Sequence, residues 1–221
     1  MKTIKTKAVI FDMDGVITNT MPDHYRCWHA VFARHGIHAT HLQVYLREGQ
    51  KGIESVYEIF AEHGKKITSQ EANQILDEKE VYFKKIVQQR FIIGARTFLK
   101  DLHRRGFILA LVTGTSRHEL HKILPNSIYD LFKVIVTGSD VRQGKPHPEP
   151  YLLCIKKLAI HNKEAVVIEN APFGIESAKR AGLKCLAIQT SLPKKYLKNA
   201  DAVFQSLKEL KQKAKFIKID S

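Results

Sequence analysis

Two aspartates one residue apart, Asp12 and Asp14, follow directly on a short apolar run, Ala8–Phe11. Three further apolar runs end in residues of comparable chemical value. Phe107–Val112 leads into Thr113-Gly114-Thr115. Val134–Val136 leads into Thr137-Gly138-Ser139-Asp140 and then Gly144-Lys145-Pro146. Ala165–Ile168 leads into Glu169-Asn170. A carboxylate can attack phosphorus and form an aspartyl-phosphate, which divides a hydrolysis into two easier steps. A second carboxyl group nearby can protonate the leaving oxygen and then take a proton from water. Hydroxyls and glycine-exposed backbone N–H groups can hold phosphoryl oxygens. A lysine offsets the charge, and magnesium takes hard oxygen ligands of the kind offered here.

These residues need a scaffold that brings four chain segments to one place. Short Val- and Ile-rich runs bounded by turn signals read as buried strands. Leu183–Ile188 and Ala202–Phe204 add two more. Between the runs lie helical patterns at Ala95–Arg105, Arg117–Ile123, Pro148–Leu158 and Gly174–Ala181. In the first of these, Phe98, Leu99 and Leu102 share one face. Strands alternating with helices predict an α/β fold, a doubly wound parallel sheet with helices on both sides. In such sheets ligands bind beyond the carboxyl ends of the strands, where the polar residues above fall.

From about Met21 to Gln89 the alternation stops. The patterns there are helical only, at Asp23–His35, Ile53–His63 and Ser69–Gln89. This predicts an all-helical domain over 18–92, set into an α/β core made of 1–17 and 93–221. The segment Arg47-Glu48-Gly49-Gln50-Lys51-Gly52 reads as a turn of the insert that faces the core. Trp28, Val31 and Phe32 read as the interior of the insert, and the basic stretch Lys208–Lys218 as a solvated final helix.

The four segments FDMDGVITNT, LVTGTS, GKPHPEPY and VVIENAPFGIESAKRAG resemble, in order and spacing, the four motifs of the haloacid-dehalogenase-like superfamily. They are most similar to its branch of β-phosphoglucomutase-like and sugar-phosphate phosphatase members, whose helical cap follows the first motif. The resemblance spans nearly the whole chain. It implies a Rossmann-like core and a Mg2+-dependent phosphohydrolase acting on a small phosphorylated metabolite such as a sugar phosphate. By the same resemblance Asp12 is nucleophile and metal ligand. Asp14 is general acid/base and gives its backbone carbonyl to the metal. Thr113, Gly114 and Thr115 bind the phosphoryl group, Lys145 steadies charge, and Glu169 and Asn170 occupy the acidic metal-binding pair. His24, Arg47 and Lys51 are candidate substrate-binding residues of the cap.

Two departures matter. Asn170 stands where an aspartate is more usual; its amide oxygen can ligate a cation but brings no charge. The mutase members carry a cap arginine shortly after a Lys-Gly pair, whereas Lys51-Gly52 here is followed by Ile53, Glu54 and Ser55. That favours hydrolysis over the alternative, a β-phosphoglucomutase-type mutase. A catalytically weak phosphometabolite-binding protein is a further alternative, resting on Asn170.

Composition bounds the remaining classes. The 221 residues carry 36 basic and 22 acidic side chains, a net charge of +14. The basic residues are spread out, with no nucleic-acid-binding spacing, so a nucleic-acid partner is not expected. No run of about 18 apolar residues is present, so no membrane span is expected. Cys27, Cys154 and Cys185 are far apart and odd in number, which argues against a disulfide framework and fits a reducing cytoplasm. The protein is expected to act there as a monomer.

Overall fold

A computed structural model of the protein describes residues 1–219. The chain begins with strands β1 (Lys2–Thr6) and β2 (Ala8–Phe11). Four helices follow: α1 (Met21–Arg34), α2 (His41–Leu46), α3 (Gly52–Glu62) and α4 (Ser69–Ile86). The remainder alternates: α5 (Ala95–Arg104), β3 (Ile108–Val112), α6 (Arg117–Ile123), α7 (Asn126–Tyr129), β4 (Val134–Val136), α8 (Glu149–Leu158), β5 (Ala165–Glu169), α9 (Pro172–Arg180), β6 (Lys184–Ile188), β7 (Ala202–Phe204), α10 (Leu207–Lys213) and β8 (Ala214–Lys218).

Six strands form one parallel sheet in the order β4-β3-β2-β5-β6-β7. The strand that carries Asp12 is therefore central, and the strands carrying Thr113 and Glu169 flank it. The apolar runs are continuous rather than alternating because both sheet faces are buried. Successive residues divide between two cores. Val9, Phe11, Leu109, Leu111, Val166 and Ile168 pack with α5, α6 and α10. Ala8, Ile10, Ala110, Val112 and Val167 pack with α8 and α9 on the other face. Each Val, Leu, Ile or Phe side chain among these taken from water is worth about 1.5–3 kcal/mol, so the sheet is a rigid platform for whatever leaves its strand ends.

Helices α1–α4 form the helical cap and have their own interior. Trp28, Val31 and Phe32 of α1 meet Val56, Ile59 and Phe60 of α3 and Ala72 and Ile75 of α4. Two capping boxes set where the cap helices start. Thr40 pairs with Gln43 at α2, and Thr68 with Glu71 at α4; each satisfies an orphan N–H of the first turn. The two chain segments joining cap to core run side by side. The Asn19 amide donates to the Arg90 carbonyl at 2.9 Å and the Ile92 amide to that of Ile17 at 2.9 Å.

Two expectations need correction. The basic stretch Lys208–Lys218 is not one helix: α10 ends at Lys213 and the chain turns into β8. There β8 pairs in parallel with β1, Lys2 opposite Ala214 and Thr6 opposite Lys218. Ala214 and Phe216 are buried while Lys215 between them is exposed; that is the period of a half-buried strand, not of a helix. The six-residue helix α2 adds an element to a stretch between the named helical patterns. All three cysteines are buried and unpaired. No helix among the described residues is long and apolar enough to cross a membrane.

Candidate active site

The carboxyl ends of β2, β3 and β5, and the loop after β4, converge on one buried cluster. Asp12 leaves β2 with 1% of its surface exposed. Lys145, also 1% exposed, reaches it from the loop after β4. The Lys145 ammonium donates to Asp12 Oδ1 at 2.6 Å, to Glu169 Oε1 at 2.7 Å and to the Val112 carbonyl at 3.1 Å. Burial alone would lower the ammonium's pKa, but Asp12 and Glu169 outweigh it and raise it, so Lys145 stays charged. Burial pushes the Asp12 carboxyl up to about 8; Lys145 opposes the rise, and Glu169 and Asp14 add to it.

Asp14 is held from both sides of the cleft. From the core, Thr115 Oγ1 donates to Oδ2 at 3.0 Å and Thr113 Oγ1 lies 3.5 Å away. From the start of α1, Thr20 donates to Oδ1 and His24 Nε2 sits 3.3 Å from the same atom. The His24 ring is itself fixed by stacking on Phe83 of α4, with centroids 4.1 Å apart. Burial would raise this carboxyl, yet His24, together with bonds from His24, Thr20 and Thr115, brings it down to about 2. Two carboxylates one residue apart are thereby driven in opposite directions, Asp12 toward its neutral form and Asp14 toward its ionised form; a cation beside Asp12 would bring its carboxyl back down.

Glu169 is fully engaged. Its Oε1 accepts from Lys145 and from Tyr151 Oη at 3.0 Å, and its Oε2 accepts from the amides of Asn170 and Ala171. Asn170 is wholly buried; its Nδ2 donates to Glu48 Oε1 at 2.6 Å and to Ser191 Oγ at 2.8 Å. Glu48 was not among the residues singled out from sequence. It lies one position from Arg47 in the segment expected to face the core, and the basic neighbour was chosen for its affinity for phosphate.

The cap loop rests directly on the core. A Cβ at Gly114 would come within 2.5 Å of the Gly49 carbonyl oxygen and 2.7 Å of that of Gln50, so only glycine permits this approach. Lys51 Nζ donates to the Val141 and Arg142 carbonyls at 3.1 and 3.3 Å. Arg47 turns back into the cap: it donates to Glu58 Oε2 at 3.0 Å, to Glu62 and to the Gln43 carbonyl. Its guanidinium is therefore already committed.

Between core and cap lies a cavity of about 200 Å³, lined among others by Asp14, His24, Trp28, Lys79, Thr115 and Glu119. Lys51 and Arg47 also border it. Lys79 and Glu119 escaped the sequence reading. Lys79 is 6% exposed, lies against the rings of Trp28 and Phe83, and makes no ion pair among the described residues. Glu119 is 3% exposed, and its Oε1 has no hydrogen-bond partner among the described residues. A lysine on one face of a long helix and a glutamate in a short one carry no sequence signal that separates them from solvated charge.

A divalent cation fits this donor set. No group of three His, Cys, Asp or Glu among the described residues forms a metal site alone, but an amide oxygen is a competent hard ligand. Asp12 Oδ2 and Asn170 Oδ1 are both buried without a hydrogen-bond partner among the described residues, a state proteins seldom leave unexplained. The crowding of carboxylates that lifts Asp12 is the charge a cation would neutralise.

Known proteins agree with this architecture. The chain is 31% identical over 185 residues to a phosphorylated carbohydrates phosphatase of Thermotoga maritima, covering 80% of this chain and 82% of that one. It is 27% identical over 210 residues to hexitol phosphatase A of Escherichia coli, covering 94% of each. The crystal structure of β-phosphoglucomutase from Clostridium difficile superposes with a TM-score of 0.83 at 26% identity, covering 93% of both chains. Residues 9–188 match the family as a whole, and with strand ends, cap and buried Asp-Lys-Glu cluster in place, the chain belongs to the haloacid dehalogenase-like hydrolases.

Proposed function

We propose that the protein is a magnesium-dependent phosphatase that hydrolyses a small phosphorylated metabolite, a sugar phosphate by preference, through an aspartyl-phosphate on Asp12. The observation that carries this is the pairing of Asp12 with Lys145 at 2.6 Å, beside an Asp14 held by Thr115 and His24. In the first step an Asp12 oxygen bonds to phosphorus as the ester P–O bond breaks. Lys145 offsets the charge gathered on the carboxylate and the phosphoryl oxygens. The leaving oxygen takes a proton from the Asp14–His24 pair. In the second step water attacks phosphorus, Asp14 accepts its proton, and inorganic phosphate leaves Asp12 free. Thr113 and the amides of Gly114 and Thr115 hold the phosphoryl oxygens at the end of β3. Asp12, Asn170 and the Asp14 backbone carbonyl would hold Mg2+, which supplies charge neutralisation to the phosphoryl group when bound.

The relatives named for phosphorylated carbohydrates and hexitol phosphate support the substrate class. So does the cavity, which sets an aromatic ring, Trp28, beside a donor, Lys79, and an acceptor, Glu119. A second reading, a phosphosugar mutase, draws on Lys79. As a cap cation without an acidic partner, it can grip a second phosphoryl group. Against it, Arg47 is bound to Glu58 and Glu62.

The test is phosphate release from a panel of sugar phosphates and p-nitrophenyl phosphate, with and without Mg2+, for wild type and Asp12→Asn. The proposal expects Mg2+-dependent release that falls by at least about a thousandfold in the variant. Conversion of a hexose 1-phosphate to the 6-phosphate, without free sugar, would establish the mutase instead. Binding without turnover of any ester would sink both.

A further inference from the structure

The acidic partner that residue 170 lacks has a counterpart on the opposite side of the cleft. We infer that Glu48, carried by the cap loop between α2 and α3, supplies the second carboxylate of the divalent-cation site, so that cation binding and cap closure are one equilibrium. The inference rests on the proposed metal site at Asp12 and extends it to a residue of the cap.

Three buried oxygens in this region have no hydrogen-bond partner among the described residues: Asp12 Oδ2, Asn170 Oδ1 and Glu48 Oε2. Two belong to the core and one to the cap. They are brought together by a direct bond across the cleft, Asn170 Nδ2 to Glu48 Oε1 at 2.6 Å. Gly15, at φ +77°, floors the cluster; a Cβ there would strike Asn170 Nδ2 and come within 2.7 Å of Glu48 Oε1. Glu48 is 4% exposed although it sits in a loop. A carboxyl buried in this way is either kept neutral by a proton or compensated by a cation or donors.

The amide at 170 makes this arrangement workable. With an aspartate there, two carboxylates would face each other at hydrogen-bond distance and repel. Asparagine instead donates to Glu48 and to Ser191 through Nδ2 and turns its own oxygen away from them. The negative charge missing from the strand end is thus restored from the cap, and the oxygen-donor count is kept. The neighbours of Glu48 fix its reach. Arg47 is tied to α3 through Glu58, and Lys51 is tied to the core through the Val141 and Arg142 carbonyls.

A ligand that meets its full donor set only in the closed form shifts the protein toward that form by its difference in affinity for the two. Mg2+ should therefore hold the cap down, and loss of Glu48 should weaken Mg2+ binding itself.

The experiment is calorimetric titration of metal-stripped intact protein with Mg2+, for wild type, Glu48→Gln and Asp12→Asn. It is paired with hydrogen exchange of the two joining segments, 18–20 and 90–92, with and without Mg2+. The inference expects Mg2+ to slow exchange of both segments in wild type. It expects Glu48→Gln, nearly isosteric, to weaken Mg2+ binding by about tenfold or more and to remove that protection. Mg2+ binding lost in Asp12→Asn but unchanged in Glu48→Gln overturns this inference and leaves the proposed function standing. No Mg2+ binding by wild type overturns both. Should Glu48→Gln fail to fold, wild-type exchange decides alone: segments indifferent to Mg2+ refute the coupling.

Discussion

The strand ends of the core and the loop of the cap face the same cavity, yet they use their charged residues differently. At the strand ends, Asp12, Asp14, Thr115, Lys145 and Glu169 all turn toward one another, within 2.6–3.0 Å of a partner in the cluster. In the cap, the basic residues nearest the cleft spend their hydrogen bonds on structure. Arg47 is held by Glu58 and Glu62, and Lys51 by backbone carbonyls. Glu48, His24 and Lys79 do line the cavity. A strand exit aims its residues by the pleat and the turn that follows; a cap loop aims them by how helices happen to pack above it.

Substitutions can break or sharpen that contrast. The largest effect should come from Lys145→Ala. It leaves Asp12 and Glu169, each 1% exposed, with no cation between them, and should cost about 3–5 kcal/mol in urea unfolding as well as activity. A loss below 1 kcal/mol would mean that the cluster is not the electrostatic unit described. Lys79→Met should keep the cap interior filled while removing its unpaired cation. An increase in KM of about tenfold or more, set by one charge-assisted bond of ~1.5–3 kcal/mol, is expected for the true substrate, with kcat little changed. Equal KM values would place Lys79 in the cap interior alone.

His24→Gln acts on proton handling. His24 is the leading influence that lowers Asp14, against a burial that raises it, to about 2. Without it the folded-state pKa climbs, and the limb of kcat/KM that Asp14 governs should move to higher pH by about one unit or more. The sign extends to stability. A carboxyl depressed in the folded state stabilises the protein above its unfolded value and loses this as pH falls toward its folded one. Wild type should lose this contribution between about pH 4 and pH 2, and the variant, left with the Thr20 and Thr115 bonds, should show less of it. An unmoved pH–rate profile would leave His24 only stacked on Phe83. The smallest effect belongs to Arg47→Ala. Its partners Glu58 and Glu62 are 43% and 45% exposed at their side chains, so a loss of about 1 kcal/mol or less is expected, with KM unchanged. A large rise in KM would return Arg47 to the substrate and erase the contrast.

Much of this was readable in the chain. The four apolar runs became strands because continuous Val and Ile segments suit a sheet buried on both faces. The residues after them met because a parallel sheet puts every carboxyl end on one side. The strand pair β1–β8 was not readable. Its partners lie about two hundred positions apart, and KTIKT and AKFIK are too lysine-rich for local pattern alone to separate strand from solvated helix. Helix α2, at six residues, is shorter than the window over which periodicity can be judged.

By itself the sequence determined the core chemistry: the order of strands and turns places Asp12 and Asp14 at one exit and Thr113, Lys145 and Glu169 beside it. The tertiary structure alone decided the cap's part, that Arg47 folds back and Glu48 goes forward to Asn170, 122 positions away. The physical reason is range. A turn after a strand is fixed by a few neighbouring residues, whereas the aim of a loop between helices depends on the packing of α1, α3 and α4 around Trp28, Phe32 and Ile59, and no short stretch of sequence carries that information.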